Sequence, residues 1–314
     1  MESRSDQPGT VRAVLVTYHP DAGLPRRLAA IAAQVAGIVI VDNGSNETQL
    51  AMLRGLAAGD PAVALLENGA NLGVARALNL GIERAAQRDC RWLLLLDQDS
   101  TAEPDLVRAL LAVHGAYPRP ERLAIVGAAF LDPAAHAPPP AAARAPPRGA
   151  DSAGGEPWRA VETAITSGSL LALAAYRAIG PFRDEFFIDY VDSDFCRRAH
   201  AHGFAVVITR RPLMAHTIGA PTRHRLLWMC RWTSNHSADR RYYIARNDTV
   251  MLREGGRHPH GRWALKSLAR RLRTCKRVLL YEEAKAAKIA AVLQGWWHGI
   301  RGRMGPRPRD SRAR

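Results

Sequence analysis

Cysteine is scarce in this chain and widely scattered. The four residues, Cys90, Cys196, Cys230 and Cys275, form no C-x-x-C pair among 314 residues. Neither a zinc ribbon nor a disulfide framework is indicated, and a reducing compartment is expected. Long apolar runs are also missing. The most apolar stretches, Ile38 to Val41 and Trp92 to Leu96, fall far short of the roughly 20 residues that a membrane-spanning helix needs. The opening, Met1 to Pro8, is polar and leads into no apolar stretch of the signal-peptide kind. There is no G-x-G-x-x-G and no Gly-rich Lys-Ser/Thr loop, which disfavours a dinucleotide dehydrogenase or a P-loop ATPase. No internal repeat is visible.

What is present describes an ordinary globular chain, 47% hydrophobic and 23% charged. The net charge of +15 is unevenly placed. From residue 223 onward there are 23 Lys+Arg against 6 Asp+Glu, whereas residues 1–222 hold 21 against 23. A near-neutral body with a basic final third suggests an anionic partner, nucleic acid or acidic lipid. Of the 44 basic residues 40 are arginine, so part of the excess also fits a coding bias toward Arg.

The spacing of apolar residues predicts alternating strands and helices. Val11 to Tyr18, Ile38 to Val41, Ala62 to Leu66 and Trp92 to Leu96 read as strands, with helices over Leu24 to Val35 and Gly73 to Gln87. Continuously apolar strands separated by helices indicate a parallel sheet covered on both faces. Residues 132–157, rich in Pro, Ala and Gly, read as a flexible loop. A helix is expected over Phe195 to His202 and a strand over Phe204 to Thr209. Residues 251–300 read as a basic helical extension, and 1–10 and 301–314 as disordered ends.

Open parallel sheets bind ligands at the carboxyl ends of their strands. Three polar clusters fall there: Thr17-Tyr18, Asp42-Asn43-Gly44-Ser45 and Asp97-Gln98-Asp99. Two carboxylates one residue apart repel unless something compensates them. A divalent cation, Mg²⁺ or Mn²⁺, would do so and commonly shares its shell with phosphate oxygens, which makes a nucleotide diphosphate the simplest ligand. The alternative is that Asp99-Ser100 merely caps a helix that begins near Pro104.

Taken in order, Val16-Thr17-Tyr18, Val41 to Ser45, Asn71-Leu72-Gly73 through Asn79, Leu96 to Ser100, Thr166 to Ser169 and Phe187 to Arg198 resemble glycosyltransferase family 2. Within it, bacterial rhamnosyltransferases are most similar. The resemblance covers about residues 11–250 and implies a GT-A catalytic domain: an α/β fold with a mostly parallel central sheet flanked by helices. It further implies inverting transfer of a sugar, L-rhamnose from dTDP-rhamnose in the favoured case, to a polysaccharide or lipid-linked saccharide. Thr17, Tyr18, Asp42 and Asp97 would then contact the nucleotide sugar, with Asn71, Gly73 and Asn79 beside ribose and diphosphate. Asp97, Asp99 and His216 would hold the metal. Asp192 would be the catalytic base, although Val191 stands where the family's Glu-Asp pair has Glu. Ser167, Gly168, Asp189, Asp194 and Arg246 would lie on the acceptor or diphosphate side; Asp194 could instead pair with Arg197 or Arg198.

Other donors remain open, among them galactofuranosyl, N-acetylglucosaminyl and other hexosyl nucleotides. A rival of another class is a non-catalytic basic protein, bound to nucleic acid or membrane, on a degenerate transferase scaffold. Tryptophans interleaved with arginines in the basic third favour an anionic membrane surface over nucleic acid, since no nucleic-acid module accompanies them. The expected location is cytoplasmic, peripheral to the inner face of the plasma membrane.

Overall fold

The apolar strands stack edge to edge as their sequence demands. In the computed structural model, β1 (Val11–Thr17), β2 (Ile38–Asp42), β3 (Val63–Glu67) and β4 (Trp92–Asp97) alternate with α1 (Leu24–Ala32), α2 (Glu47–Gly59) and α3 (Val74–Ala85). After β4 come β5 (Thr101–Ala102), α4 (Leu106–Ala116), β6 (Leu123–Leu131), β7 (Trp158–Ala160), β8 (Ser169–Ala172), α5 (Leu173–Ile179), α6 (Val191–Ala201) and β9 (Ala205–Ala215). The remainder is a hairpin, β10 (Thr222–Leu226) and β11 (Met229–Thr233), then α7 (Ala238–Glu254), α8 (Arg262–Tyr281) and α9 (Lys285–Arg301). The structure describes residues 10–131, 155–215, 222–226, 229–233, 235–255 and 262–308. The expected flexible loop therefore lies almost wholly outside the described residues, as do the first nine positions.

The main sheet runs β3-β2-β1-β4-β8-β6-β9-β5, with β7 on β9. The β3-β2-β1-β4 half is parallel, and β8 then enters antiparallel to both β4 and β6. Its interior is aliphatic: Val14, Ile40, Leu93, Leu94 and Leu170 are buried completely, each contributing about 1.5–3 kcal/mol relative to exposure. Asn46 starts α2 with a capping box, its side chain accepting from the Gln49 N–H while Gln49 reaches back. The last expected strand continues past Thr209 to Ala215 because a bulge lets it. The Thr209 hydroxyl accepts from the Ala129 N–H at 2.9 Å and donates to the Arg211 carbonyl at 2.8 Å, where the β6–β9 register shifts.

The chain divides into two units, Met1–Phe182 with Asp192–Thr217, and Arg183–Val191 with Ile218–Arg314. The second unit is built on α7, α8 and α9, so the boundary expected near residue 250 falls inside α7. Helix α9 approaches α7 through two glycines four apart, Gly295 and Gly299. A β-carbon at Gly295 would stand 2.2 Å from the Tyr242 carbonyl oxygen. The Tyr242 hydroxyl meets His298 Nδ1 at 2.7 Å, and the buried guanidinium of Arg246 lies over the Tyr243 ring. Residues 302–308, expected to belong to a disordered tail, are held in this unit. The Arg307 N–H donates to the Tyr243 hydroxyl at 2.8 Å, and the Arg307 guanidinium pairs with Asp239 at 2.7 Å.

Candidate active site

Strand register brings the first polar clusters together. Thr17 stands opposite Asp42, and Val16 opposite Asp97, so Thr17 and Asp42 share one register position at the carboxyl ends of β1 and β2, and Asp97 ends β4 one residue out of that register. Asp42 is 1% exposed. Its carboxylate accepts from the Thr17 hydroxyl at 3.1 Å, the Gly44 N–H at 3.0 Å and the Ser45 N–H at 2.9 Å, and from the Ser45 hydroxyl. The β2–α2 turn thus folds around this carboxylate. Gly44 sits at φ +97°, and a β-carbon there would come within 2.8 Å of the Ala70 backbone, so the turn needs glycine.

The next residue, Asn43, ties this turn to the loop before α3. Its side chain donates to Asn71 Oδ1 at 3.0 Å and accepts from the Asn68 amide at 3.2 Å and the Leu72 N–H at 3.0 Å. Asn71 in turn accepts from the Gly73 N–H at 3.0 Å. Asn71 and Gly73 therefore lie beside the Asp42 turn. Asn79 does different work. Buried in α3, it donates to the Phe182 carbonyl at 2.8 Å and accepts from the Tyr176 hydroxyl at 2.9 Å and the Phe182 N–H at 3.0 Å. Its polar atoms are occupied in fastening α3 to the segment after α5.

Tyr18 is half-exposed at the end of β1, and its main chain is bridged to Gln98. The Tyr18 N–H donates to Gln98 Oε1 at 2.7 Å, and the Gln98 amide donates to the Tyr18 carbonyl at 3.0 Å. Arg27 holds the Gln98 carbonyl at 2.8 Å and pairs with Asp21. Gln98, Ser45 and Asn43 stand inside the strand-end clusters of the sequence, which by itself gives them no individual role.

Asp97 and Asp99 do not cap a helix, since α4 begins only at Leu106. They occupy the tight connection from β4 to β5, and β5 is pinned to β9 through Thr101–Ala215 and Ala102–Met214. Asp97 is half-buried and Asp99 exposed. The Asp97 N–H donates to the Ser167 hydroxyl at 3.0 Å, and that hydroxyl shares a 2.7 Å bond with Ser100. Gly168, at φ +75°, donates its N–H to the Leu95 carbonyl at 2.8 Å. The Ser167-Gly168 turn is therefore a clamp on the end of β4. His216, directly after β9, lies outside the described residues. Among the described residues no three acidic, His or Cys side chains cluster as a metal cage.

Asp192, in the first turn of α6, accepts from the Ser193 N–H at 2.7 Å. It lines a small, mostly apolar cavity with Leu95, Thr166, Phe182, Phe195 and Cys196. Burial pushes the Cys196 thiol up to about 12, leaving it protonated. Asp194 is fully buried and paired with Arg197 at 2.9 Å and Arg198 at 2.8 Å, the ion-pair alternative that the sequence left open.

Asp189 and Arg246 belong to the second unit. Asp189 faces Arg240 at 3.1 Å, and burial raises its carboxyl, partly offset by that guanidinium. Arg246 donates to the carbonyls of Glu185 and Phe186, both at 2.9 Å, and of Gly305. With Asn247, which donates to the carbonyls of Phe186, Ile188 and Asp189, it cradles a segment in which Phe187, Asp189 and Tyr190 all have positive φ. Such backbone is strained and persists only where its surroundings hold it.

Comparison with known proteins finds several similarities. Residues 13–120 match the model described as Glycosyl transferase family 2, the span carrying the three strand-end clusters. The chain is 29% identical over 252 residues to dTDP-rhamnosyl transferase RfbF of Shigella flexneri, covering 78% of this chain and 80% of that one. Among solved structures, TarS 1-349 from S. aureus superposes with a TM-score of 0.56 at 11% identity, over 93% of this chain and 81% of that one. The mannosyltransferase PcManGT from Pyrobaculum calidifontis, solved in complex with GDP-Man and Mn2+, gives 0.57 at 14% identity, over 94% and 88%. The fold is GT-A.

Proposed function

We propose that this glycosyltransferase, whose N-terminal half carries a family 2 domain, moves L-rhamnose from dTDP-rhamnose to a saccharide hydroxyl with inversion. The observation that carries the reading is that Asp42, Thr17 and Asp97 all fall at the carboxyl ends of three adjacent parallel strands. The likeness to a protein named dTDP-rhamnosyl transferase supports the donor. Asp42, fixed by four donors, shapes the turn after β2, and the Tyr18–Gln98 bridge keeps the neighbouring strand end in place.

The donor set suits a divalent cation. Asp97 and Asp99 offer hard carboxylate oxygens in a connection pinned at both ends, and Mg²⁺-type ions take one or two carboxylates and complete their shell with phosphate oxygens and water. Such an ion neutralises the charge on a departing diphosphate when bound. Asp192 then takes the proton of the attacking hydroxyl. The Ser193 N–H, which donates to this carboxylate, supports a fixed orientation in place of the glutamate that Val191 replaces.

A panel of nucleotide sugars offered to the purified chain, with and without Mg²⁺ or Mn²⁺, tests the reading. Preferential, metal-stimulated turnover of dTDP-rhamnose is expected. Preferential turnover of a UDP-hexose would overturn the donor, and turnover unaffected by chelator and by Asp99→Asn would overturn the cation.

A further inference from the structure

Helix α8 is amphipathic in the wrong direction for a helix that serves only its own core. The side it turns inward is largely polar: Ser267 and Arg271 are buried, the Ser267 hydroxyl meeting Thr249 at 3.0 Å and Arg271 pairing with Asp248 at 2.6 Å, with Val278 the apolar member. The leucines point out. Leu265, Leu272 and Leu279 are 71%, 63% and 53% exposed, and Leu268 joins them. At spacings of three, four and seven these four form one stripe about 20 Å long. Lys266, Arg273, Lys276 and Arg277, all exposed, flank it. Single exposed leucines need no explanation, but a stripe of them on a basic helix does.

We infer that α8 is a docking face for an anionic bilayer surface, its leucines entering the acyl boundary and its cations meeting lipid headgroups. Charge selects this occupant. Between Arg262 and Tyr281 there are seven basic residues and no acidic one, so a second copy laid against the stripe would bring two strongly positive faces together. An anionic membrane offers the apolar layer and the opposite charge at once. No described helix is long and apolar enough to cross a membrane, which leaves in-plane binding as the mode for α8. The inference rests on the burial pattern of this helix, independent of the donor sugar.

The test is co-sedimentation of the full chain with vesicles of phosphatidylcholine alone or containing about one-third phosphatidylglycerol. Binding is expected to the anionic vesicles, weakened by salt. The double variant Leu265→Ser/Leu272→Ser should bind at least about tenfold more weakly, while keeping nucleotide-sugar hydrolysis in the absence of vesicles. Charge reversal by Lys266→Glu/Arg273→Glu/Lys276→Glu should abolish the preference for anionic lipid. A chain that stays in the supernatant with both vesicles would overturn the proposal, as would a leucine variant that binds undiminished. A dimer in vesicle-free solution that the leucine variant dissolves would make a second copy the occupant, and RNA binding that outcompetes vesicles would make it nucleic acid; either overturns the membrane. Vesicle binding by a chain that hydrolyses no nucleotide sugar would sink the donor assignment and leave the docking face intact.

Discussion

In the first unit Asp42 is buried against neutral donors: a threonine hydroxyl, two backbone N–H groups and a serine hydroxyl. In the second, Asp248 is met by Arg270, Arg271 and the Tyr190 hydroxyl, and Glu282 by Arg241 and Lys288. The difference separates two uses of a buried carboxylate. Neutral donors fill the acceptor sites of Asp42 and so fix the shape of the turn at a strand end. The Arg and Lys partners of Asp248 and Glu282 neutralise them where they stand, and such pairs lock helices together.

Variants should split along the same line. Asp192→Asn should lower kcat by about 10²- to 10⁴-fold, the usual worth of a general base, with the thermal unfolding midpoint unmoved; a large drop in stability would show that Asp192 is structural. Glu282→Gln should do the reverse. It leaves Arg241 and Lys288 buried beside a neutral group and should cost about 3–5 kcal/mol in chemical denaturation. Gly295→Ala, which drives a methyl against the Tyr242 carbonyl, should cost about 1–3 kcal/mol and leave KM for the donor unchanged. Removing the α2 cap by Asn46→Ala should cost about 1 kcal/mol, showing how little stability is lost in the first unit when a surface helix end is released.

How much of this was legible varied with range. The strands β1, β2 and β4 and the placing of Thr17, Asp42 and Asp97 were readable because continuous apolar runs end in polar clusters, and parallel neighbours align such ends. The α2 helix was overlooked: it buries chiefly Leu53, so its apolar spacing is weak, although Asn46 and Gln49 spelled its start. The work of Asn79 was hidden because its partners, Tyr176 and Phe182, lie about a hundred residues away. Arg246 looked like a diphosphate contact because an arginine's sequence neighbours do not reveal that distant carbonyls consume its N–H groups. The Gly295–Gly299 pair could have been seen as a close helix approach, and the inward polarity of α8 could not, since spacing shows a stripe without showing which way it faces.

The comparison also sharpens through pH. His236, in the second unit, is pushed down to about 4 by burial and by Arg240, Arg241 and Lys288. An unfolded histidine takes its proton near 6.5. The unfolded chain therefore binds more protons between these values, and stability should fall as pH drops from about 6.5 toward 4. Burial lowers His298 as well, in the same sense. His236→Gln should flatten the denaturation midpoint against pH in that window; an unchanged slope would assign it to other groups.

The pairing of Thr17 with Asp42 and of Val16 with Asp97 has an evolutionary corollary. A sheet shifted by one residue turns every side chain of that strand to the opposite face, so an insertion inside Ile38–Val41 would carry Asp42 away from the Thr17 hydroxyl on the neighbouring strand. The same insertion in a surface connection, such as the turn between α1 and β2, would be absorbed where it fell. Descendants of this sequence are therefore free to lengthen their turns and are bound to preserve the count of residues in each inner strand.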